Sequence, residues 1–316
     1  MSEPQLHVVF GAGQIGPPLA RLLRERGHRV RIVRRAGGGP EGVEVVHGDA
    51  GDPAFAAGVV QGASAVYHCM NPAYDAALWE RELPRLMDAL VAAAGRAKAR
   101  LVVLDNLYML GATHGVPMNE DTPMNPCSRK GAIRARVAAR LFAAHERGDV
   151  RAVSGRAADF YGPGGVQTYY GDQLWTRLLA GKSAQVLTDP DIVHAHHFTL
   201  DVAAGLATLG TAPDDVTGRW WMLPAAPAVT PRALIGAFAE ALGRPVAIER
   251  MPGWMLGALR LFMPFLRELD EMGYQWTEPF LVDDRRFRER FGAAPTPIAE
   301  GARATVAWAR EHYAAR

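Results

Sequence analysis

The sequence predicts an α/β protein built on a doubly wound parallel sheet, with a smaller, helix-rich C-terminal part partly interleaved with it. Three observations carry that expectation. Over the first hundred residues short β-branched runs alternate with amphipathic stretches. Those runs are apolar almost throughout, as in strands covered by helices on both faces. Gly11, Gly13 and Gly16 fall directly between the first run and the first helical stretch.

In chain order, Leu6 to Phe10, Val30 to Val33, Val43 to Val46, Ala65 to Cys69 and Leu101 to Leu104 are the strand candidates. Leu19, Leu22 and Leu23 recur at helical spacing, and Gly27 can close that helix. The second half is less regular: the loop "GPGGVQTYYGDQ" precedes a helix around Leu174 to Leu179, then strand-like "HHFTL" and "RWWML". Thr230 and Pro231 suit the cap and first position of a helix through Leu234, Ile235 and Phe238, ended by Gly243. No repeat is found. The expected division is a dinucleotide-binding domain over 1–165, to which 190–225 return, and a substrate-binding part from 166–189 and 226–316.

The chain has 316 residues, of which 49% are hydrophobic, enough for a sizeable core. Its 35 Lys and Arg against 33 Asp and Glu leave a formal charge of +2, which disfavours nucleic acid or an anionic membrane as main partner and favours a small-molecule substrate. Two cysteines, Cys69 and Cys127, and an N-terminus without a basic or cleavable apolar stretch point to the cytoplasm. The apolar window Gly253 to Leu266 contains Arg260 and Pro264 and falls short of the roughly 20 residues a span needs, so it reads as a buried or lid helix.

The loop "GAGQIG" suits a pyrophosphate. Gly11 permits the tight turn, Gly13 lets the backbone approach the phosphates, and Gly16 lets helix pack on strand, with Gln14 and Ile15 between them at the helix N-terminus. A site for NAD would place an acid about 20 positions on, to accept from the ribose hydroxyls. None occurs from Val30 to Pro40, where Arg31, Arg34 and Arg35 stand instead. Arg31 reads as a solvated strand end, whereas Arg34 or Arg35 suits a 2′-phosphate, which favours NADP(H) over NAD(H).

With these residues in place the chain resembles the extended short-chain dehydrogenase/reductase family, the Rossmann-type group that includes nucleotide-sugar epimerases and dehydratases. The landmarks are "GAGQIG", "HGDAGD", "AVYHCMNP", "LVVLDNLYMLG", "DFYGPG" and "HFTLDVA", in family order. The resemblance implies that Asp49 accepts from the adenine amino group and that Cys69, Met70 and Asn71 line the wall beside the nicotinamide ribose. It also implies that Asp159, Phe160 and Tyr161 carry the chain past the nicotinamide into the substrate loop.

The catalytic positions depart from that pattern. Asn106 stands where the family has a Ser or Thr, and ungapped counting puts Lys130 at the family's Tyr and Arg134 at its Lys, both within reach of the cofactor. Lys130 beside a like charge is then a proton donor or a cation polarising a carbonyl. Tyr108, two positions beyond Asn106 on the same face of an extended strand, is the other candidate acid. At about 100° per residue, Lys130 and Arg134 share the buried side of their helix with Ile133, Val137 and Leu141. Arg129, Arg136 and Arg140 gather at its edge, solvated or facing a second copy in a homodimer.

His194, His196 and His197 lack the acid or Cys companions of a metal site, so no metal is expected. No G-x-S-x-G occurs, and Ser154 lies on a predicted strand. The stretch Met251 to Trp276, with Met, Trp and the acids Glu268, Asp270 and Glu271, suits an adaptable apolar pocket or simply core. The expected function is an NADP(H)-dependent oxidoreductase acting on a small, apolar carbonyl or enone. A non-catalytic NADP(H)-binding sensor and a nucleotide-sugar epimerase or dehydratase are the alternatives.

Overall fold

A computed structural model provides the structure of the chain, and it describes residues 4–251 and 268–314. The apolar window Gly253 to Leu266, and with it most of the Met-rich stretch, lies outside the described residues.

The chain runs β1 (Leu6–Phe10), α1 (Gly16–Glu25), β2 (Arg29–Arg34), β3 (Glu44–His47), α2 (Pro53–Val59), β4 (Ala63–His68), α3 (Ala76–Arg96), β5 (Arg100–Asp105), α4 (Arg129–Glu146), β6 (Arg151–Arg156) and β7 (Asp159–Tyr161). It continues through α5 (Asp172–Leu179), β8 (Ala184–Val186), β9 (His196–Phe198), α6 (Thr199–Thr211), β10 (Trp220–Met222), α7 (Pro231–Leu242), β11 (Ile248–Arg250), α8 (Arg285–Phe291) and α9 (Ile298–Ala314). Seven strands form one parallel sheet in the order β10-β6-β5-β4-β1-β2-β3. The strand order reverses beside β1, so the chain leaves β1 and β4 towards opposite faces and opens a crevice between their carboxyl ends.

Both faces of the sheet are covered, which explains why its strands read as unbroken apolar runs. One face packs Val8, Val66, Leu101 and Ala152 against Trp79, Leu83 and Leu90 of α3 and Ile133 and Val137 of α4. The other packs Val9, Tyr67, Val102 and Val153 against Leu19 and Leu23 of α1 and Val202 and Leu206 of α6. A separate core joins Trp175 of α5, Phe238 of α7 and Val306 of α9 under the small β8/β11 sheet.

Local chemistry sets the helix ends. Asp52 Oδ1 accepts from the amides of Ala54 and Phe55 at the start of α2. Ser128 and Thr230 accept from the third helical amides of α4 and α7, and each such cap contributes about 1 kcal/mol. Gly243 ends α7 in the left-handed conformation, at φ 76°.

Three local expectations need correction. Arg31 is not a solvated end: its guanidinium pairs with Glu44 of β3 at 3.0 Å and donates to the Val59 carbonyl. "HHFTL" is not one strand, because β9 stops at Phe198 and Thr199 opens α6. Tyr108 is not on a strand either. β5 stops at Asp105, the Asn106 side chain accepts from the Tyr108 amide at 3.1 Å, and that turn starts a 3-10 turn over Tyr108–Leu110. The shared-face reasoning for Asn106 and Tyr108 therefore does not apply.

Among the described residues no helix is long and apolar enough to cross a membrane.

Candidate active site

The glycine loop is shaped by missing side chains. Gly11 has φ 109°, and a Cβ there would lie 2.8 Å from the Cys69 carbonyl oxygen, so the loops after β1 and β4 touch through bare backbone. A Cβ on Gly16 would overlap the Gly11 carbonyl oxygen, whereas one on Gly13 would meet nothing within 4 Å. Gly13 thus leaves open the space through which a pyrophosphate approaches the backbone. Pro17 and Pro18 carry no N–H, and the first intrahelical bond is Leu19 N to Ile15 O at 3.1 Å. The amides of Gln14, Ile15 and Gly16 are therefore the donors this end offers to an anion. Gln14 Oε1 is buried without a hydrogen-bond partner among the described residues. Together these features fit a dinucleotide.

Beyond β2, Arg34 folds back on its own loop and donates to the Gly38 carbonyl, while Arg35 is exposed. Asp49 accepts from the Gly51 amide at 2.9 Å and from both terminal nitrogens of Arg85 at 2.9 and 3.2 Å. The Arg85 hydrogen bonds hold its carboxyl below the usual range, with Arg35 adding to the effect. Any adenine contact has to share that carboxylate with Arg85. On the opposite wall, burial pushes the Cys69 thiol up to about 12, so it acts as a small apolar group. The Met70 amide donates to His68 Nδ1, and Asn71 Oδ1 accepts from Arg134. Phe160, like Ala12 and Cys69, packs half-buried against the core on the α1 and α6 face, whereas Tyr161 turns away into the C-terminal core against Phe198 and Phe238.

At the β5 and β6 ends the side chains are charged, and all but Arg156 are held in ion pairs. Lys130 is 0% exposed, and its ammonium donates to the Glu268 carboxylate, to the Glu268 carbonyl at 2.9 Å and to Glu271 Oε1 at 2.7 Å. Three donors meet three acceptors, so no proton is left to point at a substrate. The same two carboxylates accept from the first amides of neighbouring helices, Glu268 from Ala76 of α3 and Glu271 from Arg129 of α4. Lys130 is therefore neither the like-charge acid nor the free cation that the spacing suggested. Arg134 donates to Asp105 Oδ1 at 3.1 Å and to Asn71 at 2.6 Å, and stacks over Trp79. Arg156, wholly buried over Trp220 and with no hydrogen-bond partner on its guanidinium among the described residues, has its pKa lowered to about 10 by burial, offset in part by Asp105. By contrast Arg129 and Arg136 pair with Glu80, and Arg140 with Asp88, all exposed.

Tyr108 stacks on Trp79 at 6.2 Å, and its hydroxyl accepts from that of Tyr74 at 3.5 Å. Burial, the Tyr74 hydroxyl and the Asp159 charge push the Tyr108 phenol well above its ordinary value, so it stays a neutral hydrogen-bond donor. Asp159 receives a hydrogen bond from His194 at 2.8 Å. The residues missed in the sequence are Glu268 and Glu271, noted as acids but not as partners of Lys130, and His194, weighed only as a metal ligand. Among the described residues no group of three His, Cys, Asp or Glu side chains is placed to hold a metal ion.

Comparison with known proteins now places the chain. The model of the NAD dependent epimerase/dehydratase family matches residues 7–221, more than half of the sequence. The chain belongs to that family. A search of curated protein sequences finds no significant match. Among solved structures, this family member is similar to the Bordetella bronchiseptica enzyme WbmH in complex with NAD+, at 22% identity over 98% of this chain and 100% of that one, with a TM-score of 0.73. It is also similar to dTDP-glucose 4,6-dehydratase from Bacillus anthracis in complex with NAD, at 14% identity over 97% of both chains, with a TM-score of 0.78. A third, UDP-glucose 4-epimerase from Thermotoga maritima with UDP-glucose, shares 18% identity over 98% of this chain and 99% of that one, with a TM-score of 0.75. Identities at this level establish the shared fold.

Proposed function

We propose that this family member binds a nicotinamide dinucleotide on the Gly11–Gly16 loop and transfers hydride to or from a carbinol or carbonyl carbon of a small molecule. The observation that carries this reading is the loop itself, where bare backbone at Gly11 and Gly16 leaves open space in front of Gly13. The dinucleotide supplies the hydride chemistry; the chain binds it, orients the acceptor and manages the proton.

For the cofactor we favour NADP(H). The reason is the absence of any acid from Val30 to Pro40 together with the exposed guanidinium of Arg35, with Arg34 beside it. The similar WbmH and dehydratase structures hold NAD, so this preference rests on this chain's own residues.

For the substrate, nucleotide-sugar epimerisation or dehydration comes first, supported by the named activities of two similar structures. Reduction of a smaller apolar carbonyl or enone is the second reading, favoured by the half-buried rings of Tyr74 and Tyr108, which pack on the buried Trp79. Fluorescence titration with NADPH and NADH, followed by turnover of UDP-glucose, UDP-galactose, dTDP-glucose and a panel of ketones and enones, tests both. We expect NADPH to bind at least tenfold tighter than NADH and one substrate class to turn over. Binding without any turnover would leave a dinucleotide sensor, and failure to bind either dinucleotide would overturn the proposal.

A further inference from the structure

With the three Lys130 protons committed to Glu268 and Glu271, the hydride-transfer reading needs another group to handle the proton. We infer that Asp159 and His194 are the general acid–base pair of this site, His194 holding the proton and Asp159 exchanging it with the substrate oxygen. The inference rests on that reading.

Hydrogen-bond bookkeeping at His194 locates the proton. Nδ1 lies 3.2 Å from the Gln275 carbonyl oxygen, which can only accept, so Nδ1 carries a hydrogen. Nε2 lies 2.8 Å from Asp159 Oδ2, and two lone pairs at that distance repel, so a second hydrogen lies between them. The pair thus holds one proton more than a carboxylate beside a neutral imidazole. It is neutral overall, which makes its burial affordable.

The surroundings suit that state. The His194 ring lies parallel to Trp276 at 3.9 Å and to Phe280 at 4.9 Å, faces that accommodate a cationic ring. Its backbone amide donates to Val229 at 3.1 Å, and it bridges to Phe280 of the neighbouring segment, so the ring is held from several sides. The pair's histidine neighbours are His196, beside His194, and His197, within reach of the Asp159 charge, both kept neutral chiefly by burial. His194 is 1% exposed, whereas 27% of the Asp159 side chain is exposed, so the carboxylate is the outlet of the pair. Around that outlet stand the phenols of Tyr74, Tyr108, Tyr169 and Tyr274, each raised by burial and further by the Asp159 charge. They remain protonated and orient an oxygen without competing for the proton.

In the reducing direction a bound reduced dinucleotide would supply hydride to the carbonyl carbon, with the C=O π pair going to the oxygen. That oxygen takes the shared proton through Asp159, leaving carboxylate and neutral imidazole, and the pair regains a proton from water. Oxidation reverses each transfer, with Asp159 accepting the hydroxyl proton as hydride leaves carbon.

Two readouts test this on the full chain. In ¹⁵N-histidine-labelled protein at pH 7, the His194 signal, assigned by its loss in His194→Gln, should show both nitrogens protonated and become neutral in Asp159→Asn. A bare Nε2 that Asp159→Asn does not move overturns the proton pair. With whichever substrate of the panel the wild type turns over, Asp159→Asn and His194→Gln should lower kcat about 100-fold or more. Each should remove a limb of the pH profile and leave the dissociation constant for NADPH within about threefold. An active wild type whose Asp159→Asn variant keeps its kcat and pH profile overturns the catalytic role. A wild type that binds NADPH but turns over nothing overturns the hydride-transfer reading and the catalytic role together, while the spectra still decide where the proton sits.

Discussion

The carboxyl edge of the sheet is built in two different ways. At the β1, β2 and β4 ends the site is shaped by absence: Gly11 lets the loops after β1 and β4 touch through backbone, Gly16 packs on the Gly11 carbonyl, and Gly13 leaves room. Beside the β5 and β6 ends it is shaped largely by paired charges, Lys130 with Glu268 and Glu271, and Arg134 with Asp105 and Asn71, while Arg156 is buried against Trp220 without a hydrogen-bond partner among the described residues. A site shaped by backbone has its determinants within a few residues. A site shaped by ion pairs depends on partners that the fold brings from far along the chain.

The largest expected effect is at the first kind of site. Gly16→Val forces a side chain into the Gly11 carbonyl and should abolish NADPH binding in a fluorescence titration. Binding within threefold of wild type would show that the loop is not held by backbone contact. The second kind of site should answer in stability first. Replacing Glu268 and Glu271 together by Ala strands the buried Lys130 charge and should cost about 3–5 kcal/mol in urea unfolding, and adding Lys130→Met should recover much of it. No recovery would mean that the carboxylates matter for the α3 and α4 amides rather than for Lys130.

Histidines sharpen the same contrast. Burial, helped by His28, lowers His7 of β1 from 6.5 to about 4, so the unfolded chain binds more protons than the native one between those values. Stability is then full above pH 6.5 and falls by about 3 kcal/mol as the pH drops to 4. Melting temperatures across that range should fall steadily, and His7→Gln should flatten the slope. The smallest effect is at the cofactor's outer end. Arg35→Ala should weaken NADPH binding about tenfold, near 1.4 kcal/mol, and leave NADH unchanged. Equal loss for both dinucleotides would assign Arg35 to the pyrophosphate or to Asp49 instead.

Legibility in the sequence follows the same division. The sheet was readable because strands buried on both faces are apolar throughout, and the glycine loop because its three glycines serve one local turn. The helix face of Lys130 and Arg134 was readable from its period, since both lie on the buried side. Why two cations sit there was not, because Glu268 and Glu271 are 138 and 141 positions away from Lys130. Tyr108 was misplaced because Asn106 competes with the strand for backbone hydrogen bonds, a choice of turn that alternation of apolar residues does not reveal.

By itself the sequence determined the parallel sheet, its helical covering and the dinucleotide turn, each a product of local periodicity or of glycine's missing side chain. Only the tertiary structure decided which cations are spent and which proton is available. Charge neutralisation and proton sharing depend on distances of about 3 Å between groups far apart in the chain, as between Asp159 and His194, and no spacing along the chain encodes those distances.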